Sequence, residues 1–159
     1  IKEINFSNKC PKIGLLWSGR KDRGGKNSLP INLLLNKLEG LNIELFSLQK
    51  DLSASETAIL SKLNIKNLSP YLTSFSESSW VLSHLDLMIT ADTACAHLAG
   101  AQGTKTWLAL PAISDWRWDL SEQYSSWYSS VKLIRQQQRG NWSYVLEQIS
   151  SGIKTTFNV

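Results

Sequence analysis

An α/β domain with a Rossmann-like, doubly wound parallel sheet of about six strands and helices on both faces is the fold this sequence predicts. Three observations predict it. Short apolar runs alternate with amphipathic stretches along the whole chain, helix-start signals stand between those runs, and no internal repeat or low-complexity linker interrupts the series. Strands joined through helices must lie parallel, because each crossover returns the chain to the same end of the sheet. Right-handed crossovers then set helices on both faces.

The elements follow in order. Lys12 to Trp17 is an apolar run closed by Ser18-Gly19 and reads as the first strand. Pro30 opens a helix over Ile31 to Leu38, which Gly40 ends. Ile43 to Leu48 is the second strand. Ser53-Ala54-Ser55-Glu56 has capping-box spacing and starts a helix to about Leu63, before a short third strand around Ile65 to Leu68. A second capping box, Ser74-Phe75-Ser76-Glu77, starts the helix that carries Trp80, Val81 and His84. Leu85 to Thr90 is the fourth strand, Thr93 to Gly100 a helix of small residues, Thr104 to Leu110 the fifth strand and Val131 to Ile134 the sixth. The last helix is expected from near Asn141 to about Ile149.

A chain of 159 residues fits one domain, residues 1–159 with a core over about 12–150. It begins with Ile1 rather than Met and is expected to be a piece of a longer chain. No apolar window approaches the ~18 residues a membrane span needs, and the polar start carries no signal-peptide pattern. The 17 basic and 13 acidic residues leave +4, too mild and too scattered for a nucleic-acid binder. Cys10 and Cys95 fall in no paired spacing and read as reduced thiols of a cytoplasmic protein. Two separated histidines and two separated cysteines supply no metal ligand set, and no cofactor is expected.

In an open parallel sheet the ligand crevice lies beyond the carboxyl ends of the strands. The first strand leads into Trp17-Ser18-Gly19-Arg20 and a basic glycine loop ending in Lys26, and the second into Gln49-Lys50. The loop is not a P-loop: Gly24 is followed by Gly25, and Lys26 by Asn27, so both the register and the magnesium-binding hydroxyl fail. It suits a looser phosphate site or a solvated basic loop. No G-x-G-x-x-G, G-x-S-x-G or Ser-His-Asp arrangement is present. The sharpest signal is Asp92-Thr93-Ala94 after the fourth strand. Thr93 is placed to cap a helix whose amino terminus, with its free N–H groups and partial positive charge, suits a diphosphate. His97 follows one turn on, placed either to donate to a phosphate or ribose or to pack as a satisfied histidine. After the fifth strand come Asp115, Trp116 and Trp118, with Tyr124, Trp127 and Tyr128 close behind. Such rings either stack on a base or sugar or plug the core.

Several segments together resemble a known family. Lys12-Ile-Gly-Leu-Leu-Trp-Ser-Gly19, Phe46-Ser-Leu-Gln-Lys50, Leu85 to Ala101 with its Asp-Thr-Ala-Cys-Ala-His-Leu-Ala-Gly-Ala stretch, Asp115-Trp-Arg-Trp118, Trp127-Tyr128 and Leu133-Ile-Arg-Gln136 look like the carboxyl-terminal half of family 9, heptosyltransferase-like glycosyltransferases. The likeness is nearest to members fused to tetratricopeptide repeats, and covers about residues 12–150. It implies one half of a GT-B fold that binds a nucleoside diphosphate sugar for inverting transfer. It further implies that Ser18 and Lys26 meet the diphosphate, Gln49 lies near the nucleotide, Asp92 near the sugar, and Thr93 and His97 grip the phosphates. The catalytic base would come from an amino-terminal half, so the implied partners are that half or a repeat domain. Two other classes compete: a non-catalytic nucleotide-binding or interaction module derived from the fold, and an epimerase-like enzyme, for which Asp92 and Asp115 are the candidate acid/base groups.

Overall fold

The computed structural model describes residues 4, 6, 9–19, 27–120 and 123–159. Six strands, β1 (Lys12–Leu16), β2 (Glu44–Ser47), β3 (Lys66–Asn67), β4 (Leu87–Thr90), β5 (Thr106–Leu110) and β6 (Val131–Arg135), form one sheet in the order β3-β2-β1-β4-β5-β6. Every pairing is parallel, as the alternation of strands and helices predicts. The order reverses between β1 and β4, which sit side by side with Leu15 opposite Ile89 and Leu16 opposite Thr90.

Alternate residues along each strand feed opposite faces. Ile13 and Leu15 of β1, Leu87 and Ile89 of β4, and Trp107 and Ala109 of β5 pack beneath α1 (Ile31–Leu38), α2 (Ala54–Lys62) and α5 (Ser143–Phe157). Leu16, Phe46 and Met88 face the other way, against α3 (Phe75–Ser83) and α4 (Ala94–Ala101). Beside them, Leu108, Leu110, Val131 and Leu133 enclose Ala96 and Trp118. Burial of each leucine, isoleucine, valine, methionine or phenylalanine among them contributes about 1.5–3 kcal/mol.

The expected helix starts recur with one change of partner. Ser53 and Glu56 close a reciprocal capping box at α2. At α3, Ser74 Oγ accepts from the Glu77 N–H, but the Glu77 carboxylate reaches one residue further back, to the Thr73 N–H. Gly40, at φ +79°, ends α1 in the left-handed conformation that a side chain disfavours. The last helix departs from expectation, running to Phe157 instead of stopping near Ile149. Ser150-Ser151-Gly152 reads locally as a breaker, yet Ser150 Oγ donates to the Lys37 carbonyl and Ser151 Oγ to that of Glu147. Gly152 lies against the Trp107 ring, where a Cβ would come within 2.7 Å of Cη2.

Candidate functional site

A cavity of about 390 Å³ opens at the carboxyl ends of β1, β2 and β4, beside the point where the strand order reverses. A volume of that size suits a small organic ligand. Leu16, Ser18 and Gly19 line it from β1, Leu48 to Asp51 from β2, and Thr93, Ala94 and Cys95 from the start of α4. Leu72 to Phe75 and Ser78, the segment entering α3, complete it.

The β1 exit is tied down on both sides. Buried Trp17 donates from Nε1 to Glu56 Oε1 at 2.6 Å, and its carbonyl accepts from the Leu29 N–H at 2.8 Å. Gln49 is 8% exposed, and its amide is committed. Oε1 accepts from the Ser18 N–H at 2.9 Å, while Nε2 donates to the carbonyls of Ser18 at 3.2 Å and Lys50 at 3.0 Å. Ser28 Oγ donates to Ser18 Oγ at 3.0 Å. Ser18 and Gly19 therefore enter the cavity on fixed backbone. Gly19 also abuts the next exit: a Cβ there would lie 3.5 Å from the Asp92 carbonyl oxygen. Arg20 and Lys26, with the glycines between them, lie outside the described residues.

At the β4 exit Thr93 holds the N-cap position of α4, but its hydroxyl makes no capping bond and instead shares a hydrogen bond with Thr90 Oγ1 at 3.1 Å. The expected Thr93 cap is thus replaced by a tie back to the strand, made possible because both hydroxyls lie on the same turn. Among the described residues no side chain takes the first-turn N–H groups of α4; that of Ala96 meets the Thr93 carbonyl at 3.0 Å, and those of Ala94 and Cys95 keep their partial positive charge at the cavity wall. Burial pushes the Cys95 thiol above its ordinary value, and the nearby Lys50 charge pulls weakly the other way. Asp92 is half-buried on the turn, with no side-chain partner among the described residues.

The fourth wall is braced from outside. The Glu77 carboxylate accepts from the Thr73 N–H at 3.1 Å, from Thr73 Oγ1 and from Ser74 Oγ at 3.3 Å, and Ser78 Oγ donates to the Ser74 carbonyl at 2.8 Å. The Thr73 hydroxyl bond is the main reason the Glu77 carboxyl stays below its usual range. Phe75, at the first position of α3, is 71% exposed at the mouth of the cavity.

A family model described as Glycosyltransferase family 9 (heptosyltransferase) matches residues 33–137, more than half of the chain. The chain belongs to glycosyltransferase family 9. No curated protein and no solved structure matches it. The matched region supplies three of the four cavity walls of the family 9 chain, those from β2, α3 and α4.

Of the residues singled out in the sequence, Ser18, Gly19, Gln49, Thr93 and Ala94 line the cavity of the family 9 chain. Trp17 lies behind it, against α2. His97 turns away: its ring stacks on Trp118 with centroids 4.8 Å apart, and Nδ1 meets the Tyr128 hydroxyl at 3.2 Å. Asp115 pairs with Arg117 at 3.2 Å and accepts from the Arg117 N–H. Trp116 is 77% exposed on that same loop, whereas Trp118 is core. Arg135 holds the loop to the end of β6, donating to the carbonyls of Trp118 and Asp119.

The wall before α3, Asp51 and Cys95 have no counterpart among the residues expected at the site, and Lys50 enters only as the residue after Gln49. Leu72 to Phe75 follow no main strand exit; the turn at Ser69–Tyr71 swings them over the edge, with Pro70 as its local signal. Among the described residues no three His, Cys, Asp or Glu side chains gather to hold a metal, and no helix is long and apolar enough to cross a membrane.

Proposed function

We propose that this chain is the donor-binding half, equivalent to the carboxyl-terminal half, of an inverting GT-B glycosyltransferase of the kind fused to tetratricopeptide repeats. Its cavity takes the nucleoside diphosphate of a nucleotide sugar. The observation that carries this is the placing of the cavity at the strand-order reversal, with the uncapped first turn of α4 on one side. Backbone N–H groups at a helix start, reinforced by the dipole, favour a diphosphate. Lys50, whose charge is felt at Cys95 in that same turn, adds a cation without any metal. Ser18 and Gly19, held on fixed backbone, line the same space.

Transfer releases the diphosphate as an anion, which these fixed donors stabilise more as its charge develops. Asp92, on the turn beside Gly19, is assigned to the sugar end. A general base must take the proton of the acceptor hydroxyl, and we assign it to a facing lobe, so that this chain binds donor but does not transfer sugar alone. His97, packed on Trp118, steadies α4 from behind. An amide-resolved NMR titration with ADP, GDP and UDP tests the site: shifts are expected at Gly19, Lys50 and Thr93 to Cys95. Lys50→Ala is expected to weaken binding roughly tenfold, about 1.4 kcal/mol. Shifts confined to another surface, or no binding, would sink the assignment, and sugar turnover by this chain would sink the division of labour.

A further inference from the structure

We propose that the cavity is tolerant of the nucleobase, gripping a flat ring by stacking and apolar contact while leaving its hydrogen-bonding edges unread. This rests on the donor-site assignment above, with the diphosphate at the α4 end. The ring then falls at the opposite end, between β2 and the segment entering α3. Buried Leu48 and Leu72 give that end an apolar floor, continued by Leu16 of β1, and Phe75 sets an aromatic face, largely open to solvent, at its mouth.

Among the described residues, the polar side chains at that end other than the β2 rim are already committed to the protein. Gln49 uses its oxygen and both amide protons on the backbone of Ser18 and Lys50. Thr73 and Ser74 direct their hydroxyls to Glu77, and Ser78 donates to the Ser74 carbonyl. With Lys50 assigned to the diphosphate, Asp51 remains, exposed on the β2 rim. An exposed carboxylate there can accept from ribose hydroxyls, which every nucleotide shares. Apolar pockets separate related ligands by only about 10–200-fold, whereas sites that hydrogen-bond a substrate group reject its absence by roughly 10⁴–10⁵-fold. Base-on-aromatic stacking accepts any base, because each has a π face.

The test is calorimetric titration of this chain with ADP, GDP, UDP, CDP and inorganic pyrophosphate, repeated with Phe75→Ala and Phe75→Tyr. Phe75 is exposed, so neither change threatens the fold. Dissociation constants for the four nucleotides are expected within about tenfold of one another, purines tighter. Phe75→Ala is expected to weaken all four by about tenfold, with Phe75→Tyr restoring them. One base binding about a hundredfold tighter than the rest would overturn the tolerance while leaving the donor site standing. Four nucleotides bound no better than pyrophosphate, with Phe75→Ala without effect, would overturn the stacking. Failure of all five ligands to bind would remove the donor site and this inference together.

Discussion

Gln49 replaces a sheet partner where β1 leaves the sheet. One buried amide satisfies the N–H and the carbonyl of Ser18, groups that would otherwise face the cavity wall unpaired. Gln49→Ala is therefore expected to cost about 1–3 kcal/mol in urea unfolding, and to loosen Ser18 and Gly19. Gln49→Glu should be no milder, because a carboxylate cannot donate to the two carbonyls that Nε2 now serves. An unchanged unfolding midpoint would show that water fills the role. Gly100 illustrates close approach. A Cβ there would come within 2.5 Å of Tyr128 Cγ, so Gly100→Ala is expected to destabilise by about 1–3 kcal/mol. The cost should shrink in a Tyr128→Ala background, the non-additivity expected of touching residues. The small residues Ala96, Ala99 and Gly100 let α4 sit close on the sheet and on Tyr128.

The start of α3 is held by one carboxylate, that of Glu77. Because the Thr73 hydroxyl holds the folded Glu77 carboxyl below its unfolded value, the bond's contribution is fully present above the ordinary glutamate range. It is lost only as pH falls through the lowered folded value. Following the Thr73 amide by NMR through acid should show one transition on the acid side of ordinary glutamate, absent in Glu77→Gln. A transition at the ordinary value would mean that the brace does not form in solution. The start of α4 behaves oppositely. Burial raises the Cys95 thiol, so its thiolate forms later than that of a free peptide and alkylation at neutral pH should be slower. Saturating nucleotide should slow it further, as mass spectrometry of the modified peptide would record. The unexpected length of α5 is an element-level lesson too. Its serines find carbonyl partners and its glycine a tryptophan ring, so a local stop signal is overridden by packing against β5 and α1.

Across the molecule, three strand ends converge on one cavity because β2, β1 and β4 are neighbours in the sheet. A ligand there bridges elements from both sides of the strand-order reversal, and binding should stabilise the whole domain. At a nucleotide concentration about one hundred times its dissociation constant, linkage gives about 2.7 kcal/mol. For a domain of this size that is a rise in Tm of roughly 5–10 °C. Differential scanning calorimetry would show it, and no rise at saturation would argue that the ligand binds the unfolded chain equally well.

The element order, the parallel sheet and both helix starts at Ser53 and Ser74 were legible in the residues, because apolar period and capping chemistry are local properties of the chain. So was the position of the turn after β4, at the carboxyl edge of the sheet. The choice among equally polar strand exits was not. Ser18, Gly19, Gln49, Thr93 and Ala94 meet because their strands are adjacent, while Asp115 and Trp116 are carried on a loop that Arg135 fastens to β6. His97 has the spacing of a ligand contact, but its ring lies against Trp118, twenty-one positions along the chain. Such partners depend on strand order and long-range packing, which no window of sequence contains.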